Sequence, residues 1–172
     1  KEFMTKLRKI CDDNCILLIM DEIQTGMGRT GKLFAFQHFD VVPDILTIGK
    51  AFGGGMPIGG LVTSQKLMSL FNNNPTLGHI TTFGGHPVNC AASMACLQHL
   101  LTTDIMKKVD EKEKLFRTHL SHPKIKEIRG KGLMLAIEFN DEELAQKIVE
   151  KSLENELILF YFLFTKTAIR IT

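Results

Sequence analysis

The sequence has 172 residues, of which 44% are apolar and 23% are charged, and its formal net charge is +2. This composition is ordinary for a globular protein with one domain, or one and a half. So small a net charge gives no reason to expect nucleic acid or a membrane surface as a partner. No apolar stretch approaches the roughly 20 residues that span a bilayer, and the first residues, KEFMT, do not resemble a signal peptide.

The cysteines and histidines give no sign of a metal or redox site. The four cysteines are Cys11, Cys15, Cys90 and Cys96. All of them lie in segments that resemble helix or strand interiors, and Cys11 and Cys15 lack the spacing of a zinc or redox pair. We therefore expect free thiols in a cytoplasmic protein. His119 and His122 flank a predicted helix end, where we expect no zinc.

The chain opens with a helical pattern that is followed by short apolar runs. Residues 1–12 predict a helix without a capping residue before it. Its apolar side chains at helical spacing are Phe3, Leu7, Ile10 and Cys11. Residues 15–20 and 45–48 contain no charged side chain, and they predict strands that are buried on both faces. Residues 59–63 are a third strand candidate.

The middle of the chain is predicted to be mainly helical. Residues 65–71 predict a short helix, and residues 72–86 predict an interruption followed by a loop. Pro87 suits the first turn of a long helix that runs to about Leu101. Asp104 predicts the cap of a further helix. The apolar stripe of that helix would contain Ile105, Val109, Leu115 and Leu120.

A boundary near residues 120–124 precedes a pattern of strand, helix and strand. Residues 132–139 predict a strand, and Asp141 predicts the cap of a helix that runs to about Leu153. Further strands are predicted over residues 157–164 and 168–171. The first part is therefore expected to be α/β with a parallel or mixed sheet, and the second a smaller α+β unit. Because the chain starts within a helix pattern and stops within a strand pattern, we expect a piece of a longer protein.

The first two apolar runs are each followed by a residue with chemical use. Asp21 follows the first run, and Lys50 follows the second after one glycine. Because open α/β sheets bind ligands at the carboxyl ends of their strands, we expect the acid and the amine to share a site. Desolvation behind a buried strand would favour the neutral, nucleophilic amine of the lysine.

Two glycine-rich matches in the same region are disfavoured. Residues 26–31 match the dinucleotide pattern G-x-G-x-x-G, but the preceding strand ends several residues earlier, and Lys50 stands where an acid should bind ribose. Residues 26–32 nearly match the phosphate-binding G-x-x-x-x-G-K-[ST]. Leu33 then replaces the hydroxyl that binds Mg²⁺, so we do not expect an NTPase.

Three blocks in this order resemble one family. They are LLIMDEIQTGMGRTG at 17–31, PDILTIGK at 43–50 and TTFGGHP at 81–87. They are similar to the class III aminotransferases, which are pyridoxal 5'-phosphate (PLP) enzymes of fold type I, and most similar to ornithine and acetylornithine aminotransferases. The resemblance implies an α/β fold with a mixed, mostly parallel sheet and flanking helices. It also implies that residues 1–120 are the C-terminal half of the PLP-binding large domain and residues 121–172 a truncated C-terminal small domain.

The resemblance implies a role for each of five residues. Lys50 would hold PLP covalently and carry the proton in catalysis, and Asp21 would keep the pyridine nitrogen protonated. Gln24 would donate to the phenolic oxygen of the cofactor. Thr82 would reach the phosphate bound by the neighbouring subunit, and Arg170 would bind the substrate carboxylate.

Other positions in these blocks are less well defined. Thr81 competes with Thr82 for the phosphate role, and Glu22 has no role that the sequence indicates. Arg29 and the neighbouring glycines are expected to shape the loop. The phosphate loop and the aromatic residue that stacks on the ring would lie upstream of Lys1, so we expect these residues alone not to transaminate.

The resemblance implies a homodimeric transaminase of arginine and ornithine metabolism, with its active site at the dimer interface. It would transfer an amino group from an ornithine- or acetylornithine-like donor to 2-oxoglutarate. The alternatives are another class III PLP enzyme, such as a 4-aminobutyrate or ω-amino acid aminotransferase or an aminomutase, or a non-catalytic fragment. The alternation of helices and strands is compatible with all of these functions.

Overall fold

The computed structural model describes residues 1–72, 74, 76, 78–162 and 164–172. These residues form two compact units, which we describe separately. The first contains Lys1–Gly28 and Lys32–Met106, and the second contains Arg29–Gly31 and Lys107–Thr172. In the part of the chain that is described, no helix has both the length and the apolar character needed to cross a membrane.

The first unit combines helices with a mixed sheet. Its elements are α1 (Glu2–Asp13), β1 (Ile19–Asp21), β2 (Ile45–Ile48), β3 (Gly60–Thr63), α2 (Gln65–Met68) and α3 (Pro87–Thr102). β2 lies in the centre of the sheet, parallel to β1 and antiparallel to β3. The predicted mixed sheet, the second strand and the first helix are therefore confirmed. The third strand starts one residue later than predicted.

The first strand is shorter and more exposed than the sequence predicts. The chain makes a turn at Cys15, where φ is +54°, so only the end of the apolar run is extended. Ile19 is 58% exposed, and β1 forms the edge of the described sheet. The prediction that this strand is buried on both faces is wrong for these residues.

A small apolar core lies between α1 and the sheet. Cys11, Leu18 and Val41 are its buried members, and Leu7 is one of the half-buried residues packed against them. Phe3 and Ile10 are exposed, so α1 buries only part of its predicted apolar stripe.

An ion pair joins α1 to the residue before β2. Arg8 donates from Nη1 to Asp44 Oδ2 at 2.8 Å, and the backbone N–H of Leu18 donates to the same oxygen at 2.7 Å. The hydrogen bond from Leu18 and then that from Arg8 hold the pKa of Asp44 below its usual value. The carboxylate thus connects α1, β1 and β2.

The helices before and after the long loop begin where the sequence predicts. Ser64 Oγ accepts from the Leu67 N–H at 3.3 Å and caps α2, which continues as a 3₁₀ helix over Ser69–Phe71. α3 begins at Pro87, as predicted, and ends at Thr102, one residue beyond the predicted end at about Leu101. The predicted interruption and loop over 72–86 include Asn73, Pro75 and Leu77, which lie outside the described residues.

The second unit is an antiparallel sheet with two helices. Its elements are α4 (Val109–His119), β4 (Glu127–Lys131), β5 (Met134–Glu138), α5 (Glu142–Glu154), β6 (Phe160–Tyr161) and β7 (Ala168–Ile171). The strand order is β4, β5, β7, β6. Leu135, Ala145 and Ile169 are almost completely buried between α5 and this sheet. Asp141 Oδ1 accepts from the Leu144 N–H at 3.0 Å, which confirms the predicted cap of α5.

Three predictions for the second unit need correction. α4 begins at Val109 after a 3₁₀ turn, so its N-cap is Lys108 and not Asp104. β4 was not predicted, because its sequence, EIRGK, lacks an apolar alternation. The predicted strand over 157–164 contains only the two-residue β6, and Leu163 lies outside the described residues.

The compact units divide between Met106 and Lys107, whereas the sequence predicts a domain boundary between 120 and 121. α4 belongs to the second unit because its side chains bind the hairpin of β4 and β5. Arg117 donates to the carbonyl oxygens of Ile128 and Gly130 at 2.6 and 3.0 Å. The assignment of residues 1–120 and 121–172 to two domains of a whole enzyme stays a prediction.

Candidate active site

Asp21 and Lys50 follow neighbouring parallel strands at the same edge of the first sheet. Asp21 is the last residue of β1 and pairs with Thr47 of β2, and Lys50 comes directly after β2 and Gly49. Both side chains lie beyond the carboxyl ends of their strands, where open sheets bind ligands. The topology therefore brings the acid and the amine to one edge, as the sequence predicts.

The segments that carry these two residues touch. Asp21 Oδ1 accepts from the Ile23 N–H at 2.9 Å, which fixes the turn after β1. The side chain of Ile23 covers the buried Gly49, since a Cβ built on that glycine would lie 3.4 Å from Ile23 Cγ2. Sequence reasoning missed Ile23, because nothing in its residue type indicates this contact. The turn after Asp21 is thus packed against the residue that precedes Lys50.

Glu22, which has no role that the sequence indicates, is a buried anchor of the same turn. It is 3% exposed, and its carboxylate accepts from the Ala35 N–H at 3.0 Å and the Phe36 N–H at 2.8 Å. The Thr25 hydroxyl also donates to it. A buried carboxylate is tolerated only when donors surround it. The two backbone bonds tie the loop that follows Asp21 to the 3₁₀ helix Ala35–His38, and the bond from Thr25 closes the turn itself.

Lys50 itself is exposed in this chain. It begins a 3₁₀ helix, Lys50–Gly53, and has a φ of +45°, a region that non-glycine residues rarely occupy. The predicted desolvation of its amine is therefore not seen in these residues. A backbone conformation of this kind costs of order 1–3 kcal/mol and is found preferentially at functional sites.

Gln24 and Thr82 occupy a turn and a loop of the first unit. Gln24 is half-buried in the turn after β1, next to the anchored Glu22. Thr82 is exposed in the loop before α3, where the Gly84 N–H donates to the Thr81 carbonyl at 3.1 Å. In the described part of the chain, no hydrogen bond connects Thr82 with Asp21 or Lys50. Its predicted role toward a phosphate of another subunit stays a prediction.

Arg170 lies in the second unit, on β7 opposite Ala136 of β5 and Phe160 of β6. Its guanidinium carbon is 5.8 Å from the centre of the Phe160 ring. Its Nε atom is buried and has no hydrogen-bond partner within the described residues. A planar guanidinium group can bind a carboxylate through two N–H groups, which is the role that the sequence predicts for Arg170.

The family follows from comparison with known proteins. A family model described as Aminotransferase class-III matches residues 1–172, which is the whole chain. The chain therefore belongs to the class III aminotransferases, which depend on PLP. Within the part of the chain that the structure describes, no group of three His, Cys, Asp or Glu side chains could hold a metal ion.

Individual relatives are ornithine and acetylornithine aminotransferases. The acetylornithine aminotransferase of Caldanaerobacter subterraneus subsp. tengcongensis is 45% identical over 163 residues, which cover 92% of this chain and 40% of that protein. The structure of Plasmodium falciparum ornithine δ-aminotransferase matches with a TM-score of 0.86 at 31% identity, over 99% of this chain and 44% of that one. N-acetylornithine aminotransferase from Stenotrophomonas maltophilia K279a matches with a TM-score of 0.82 at 31% identity, over 98% and 44% of the two chains.

These matches confirm fold type I, the fold class that the sequence blocks imply. They also show that the chain spans only about two fifths of the length of the curated relative, since it covers 40% of that protein. The activity, substrates and partners of the whole protein therefore remain proposals.

Proposed function

We propose that the protein containing this chain is a PLP-dependent transaminase that transfers an amino group from an ornithine- or acetylornithine-like donor to 2-oxoglutarate. One observation carries the proposal: the turn after Asp21 lies against Gly49, directly before Lys50, at the carboxyl ends of two parallel strands. The names of the relatives support the donor class.

The residues at this edge fit PLP. When bound, PLP supplies an electron-accepting ring for amino-group transfer. Asp21, whose exposed carboxylate is held at the strand end, would pair with the protonated ring nitrogen. Lys50 would hold the cofactor through Nζ, and the same atom would move a proton at the substrate carbon.

The remaining residues would position the cofactor and the substrate. Gln24, in the anchored turn, would donate to the phenolic oxygen of the ring. Thr82 would bind the phosphate held by the other subunit of a homodimer, with the active site at the interface. Arg170 would bind the substrate carboxylate through its planar guanidinium group. We further propose that the enzyme is cytoplasmic and that residues 1–120 and 121–172 belong to its large and small domains.

Visible spectroscopy of the full-length enzyme with PLP tests the proposal. We expect a visible absorption band above about 400 nm from lysine-linked PLP. Ornithine or acetylornithine should bleach this band, and 2-oxoglutarate should restore it. Lys50→Ala should abolish this band, whereas Lys66→Ala, which changes an exposed lysine of α2, should retain it. A band that persists in Lys50→Ala would contradict the assignment of Lys50.

A substrate screen tests the donor and the acceptor separately from the cofactor. The proposal expects the highest kcat/KM with ornithine or acetylornithine and 2-oxoglutarate. A preference for 4-aminobutyrate, for pyruvate as acceptor, or for intramolecular amino transfer would replace this assignment by another class III reaction. An enzyme that binds no PLP would contradict both.

A further inference from the structure

Helix α3 lies across the turn that follows Lys50. Asn89 Nδ2 donates to the Pro57 carbonyl at 2.8 Å, and the Cys96 thiol donates to the Ala51 carbonyl at 3.3 Å. These two bonds reach the beginning and the end of the turn formed by residues 50–57. Ala51 is the residue directly after Lys50, so the bond from Cys96 holds the backbone next to the lysine.

Close packing accompanies the hydrogen bonds. Gly54, in the middle of the turn, has a φ of +58° and approaches α3 so closely that a Cβ there would lie 2.8 Å from the Ala92 carbonyl oxygen and 3.1 Å from Cys96 Cβ. Only glycine meets both requirements without strain. The backbone of the turn therefore rests directly on the helix.

The residues of α3 that make these contacts share one face. Asn89, Ala92 and Cys96 are three and four positions apart, which places them along one side of a helix. Ser93, the buried residue of α3, lies on the same side. The opposite side carries exposed apolar residues such as Met94. Polar side chains thus face the turn, although asparagine is unfavourable within a helix unless its amide is used.

The turn itself needs such support. Lys50 has a φ of +45°, and the internal hydrogen bonds of the turn are short-range ones, from the Phe52 N–H to Gly49, from the Gly54 N–H to Ala51 and from the Met56 N–H to Gly53. Bonds of this kind close a turn but do not hold it against the rest of the fold. The contacts from Asn89 and Cys96 are long-range in sequence, and they connect the turn to a helix of 16 residues.

We infer that Asn89 and Cys96 are positioning residues for Lys50: they hold the two ends of its turn and thereby fix the direction from which the amine reaches the cofactor. This inference rests on the proposed function of Lys50. Neither residue would touch the cofactor or substrate, and Asn89 is the stronger of the two because an amide is a better donor than a thiol.

The first test measures the turn without measuring activity. Amide hydrogen exchange of residues 49–57 is followed in the full-length holoenzyme and in its Asn89→Ala and Asn89→Asp variants. Loss of one net hydrogen bond should accelerate this exchange about fivefold. Asn14→Ala is the matched control, because Asn14 Nδ2 also donates to a backbone carbonyl at 2.8 Å, at the end of α1. It should leave exchange at 49–57 unchanged. Asn89→Asp keeps the shape of the side chain if Asn89→Ala does not fold.

The second test separates positioning from substrate binding. In the Asn89 variants we expect kcat to fall about fivefold with KM for the amino donor nearly unchanged. The visible circular dichroism of the cofactor should change, because it reports the orientation of the ring. Cys96→Val should show a smaller effect in the same direction and Cys96→Ser little effect. Cys90→Ala, which removes an exposed thiol from the same helix, should behave as the unchanged enzyme.

The two levels of the proposal fail in different ways. If visible absorbance survives in Lys50→Ala, the function proposed for Lys50 is wrong, and the inference falls with it. If Lys50→Ala loses the absorbance, but the Asn89 variants keep unchanged exchange at 49–57 or an unchanged kcat and circular dichroism, only the positioning role is overturned.

Discussion

Replacing Glu22 should destabilise the turn after Asp21 more than any substitution of an exposed acid. Its carboxylate is the acceptor for two backbone N–H groups, those of Ala35 and Phe36, and for the hydroxyl of Thr25. A buried donor left without a partner costs about 1–3 kcal/mol, and the hydroxyl can rotate to another acceptor. Two N–H groups that lose their acceptor therefore predict a loss of about 2–6 kcal/mol for Glu22→Ala.

Glu22→Gln separates the contribution of the hydrogen bonds from that of the side-chain volume, because glutamine has nearly the same volume as glutamate. The amide keeps one oxygen as an acceptor, but it turns an NH₂ group toward the donors that the second oxygen served. One donor then loses its acceptor, so we expect a smaller loss of about 1–3 kcal/mol. Glu143→Gln, at an exposed position in the first turn of α5, is the matched control and should stay within about 0.5 kcal/mol.

Urea unfolding of the full-length enzyme measures these differences, because a lower midpoint at constant slope reports a loss of stability. The loss of stability should increase in the order Glu143→Gln, Glu22→Gln, Glu22→Ala. A free energy of unfolding for Glu22→Ala within about 1 kcal/mol of that of the unchanged protein would refute this prediction, since two N–H groups bonded to a buried carboxylate cannot lose their acceptor at so small a cost.

Three further outcomes are expected from single substitutions. Gly130→Ala should lower the free energy of unfolding in urea by about 3 kcal/mol or more, because the φ of Gly130 is +123° and a Cβ would lie 2.1 Å from a backbone carbonyl oxygen. Gly55→Ala, where φ is +99° but no non-neighbouring atom of the described residues lies within 4 Å of the added Cβ, should lower it by only about 1–2 kcal/mol. Equal losses for the two variants would contradict this prediction. The pKa of Asp44 is lowered in the folded state, chiefly by the hydrogen bond from the Leu18 N–H. The Asp44 carboxylate therefore stabilises the fold fully above its unfolded pKa of about 4, and this stabilisation is lost as the pH falls through the folded pKa. Asp44→Asn should therefore reduce stability at neutral pH and flatten its decline between about pH 5 and pH 2, and an unchanged pH profile would argue against the effect. Arg170→Gln should raise KM for the amino donor about 10–100-fold while cofactor absorbance is retained, and an unchanged KM would remove Arg170 from the substrate site.

Local patterns predicted the elements that are regular and well delimited. β2 coincides with the uncharged run 45–48, α3 begins at its proline, and α5 begins after Asp141. Each of these signals lies in neighbouring residues: an apolar run between turns, a fixed φ, or a side chain that caps the helix N-terminus. No distant contact is needed to read them.

The features that the sequence did not predict depend on strand pairing or on the local geometry of turns. β4 is strand because it pairs with β5, although EIRGK has no strand pattern of its own. β1 is shortened by a turn at Cys15, whereas its apolar run suggests a longer strand. α4 starts after Asp104 because a 3₁₀ turn intervenes. Pairing partners and turn geometry decide these cases.

The candidate site shows the same division. Asp21 and Lys50 could be placed at one sheet edge from their position after two strands. The hydrogen bonds of Glu22 could not be predicted, because their donors are the backbone N–H groups of Ala35 and Phe36. Every residue except proline has such a group, so the residue types give no signal. The contact of Ile23 with Gly49 likewise becomes visible only in the folded chain.

Borohydride reduction of the full-length enzyme with PLP, followed by peptide mapping, tests the central claim most directly. Reduction converts a lysine-linked PLP into a stable secondary amine that marks the residue. We expect the label on the peptide that contains Lys50, and we expect Asp21→Ala to weaken retention of PLP without moving the label. A label on any other lysine, or PLP retention that is unaffected by Asp21→Ala, would contradict a site in which these two residues hold one cofactor.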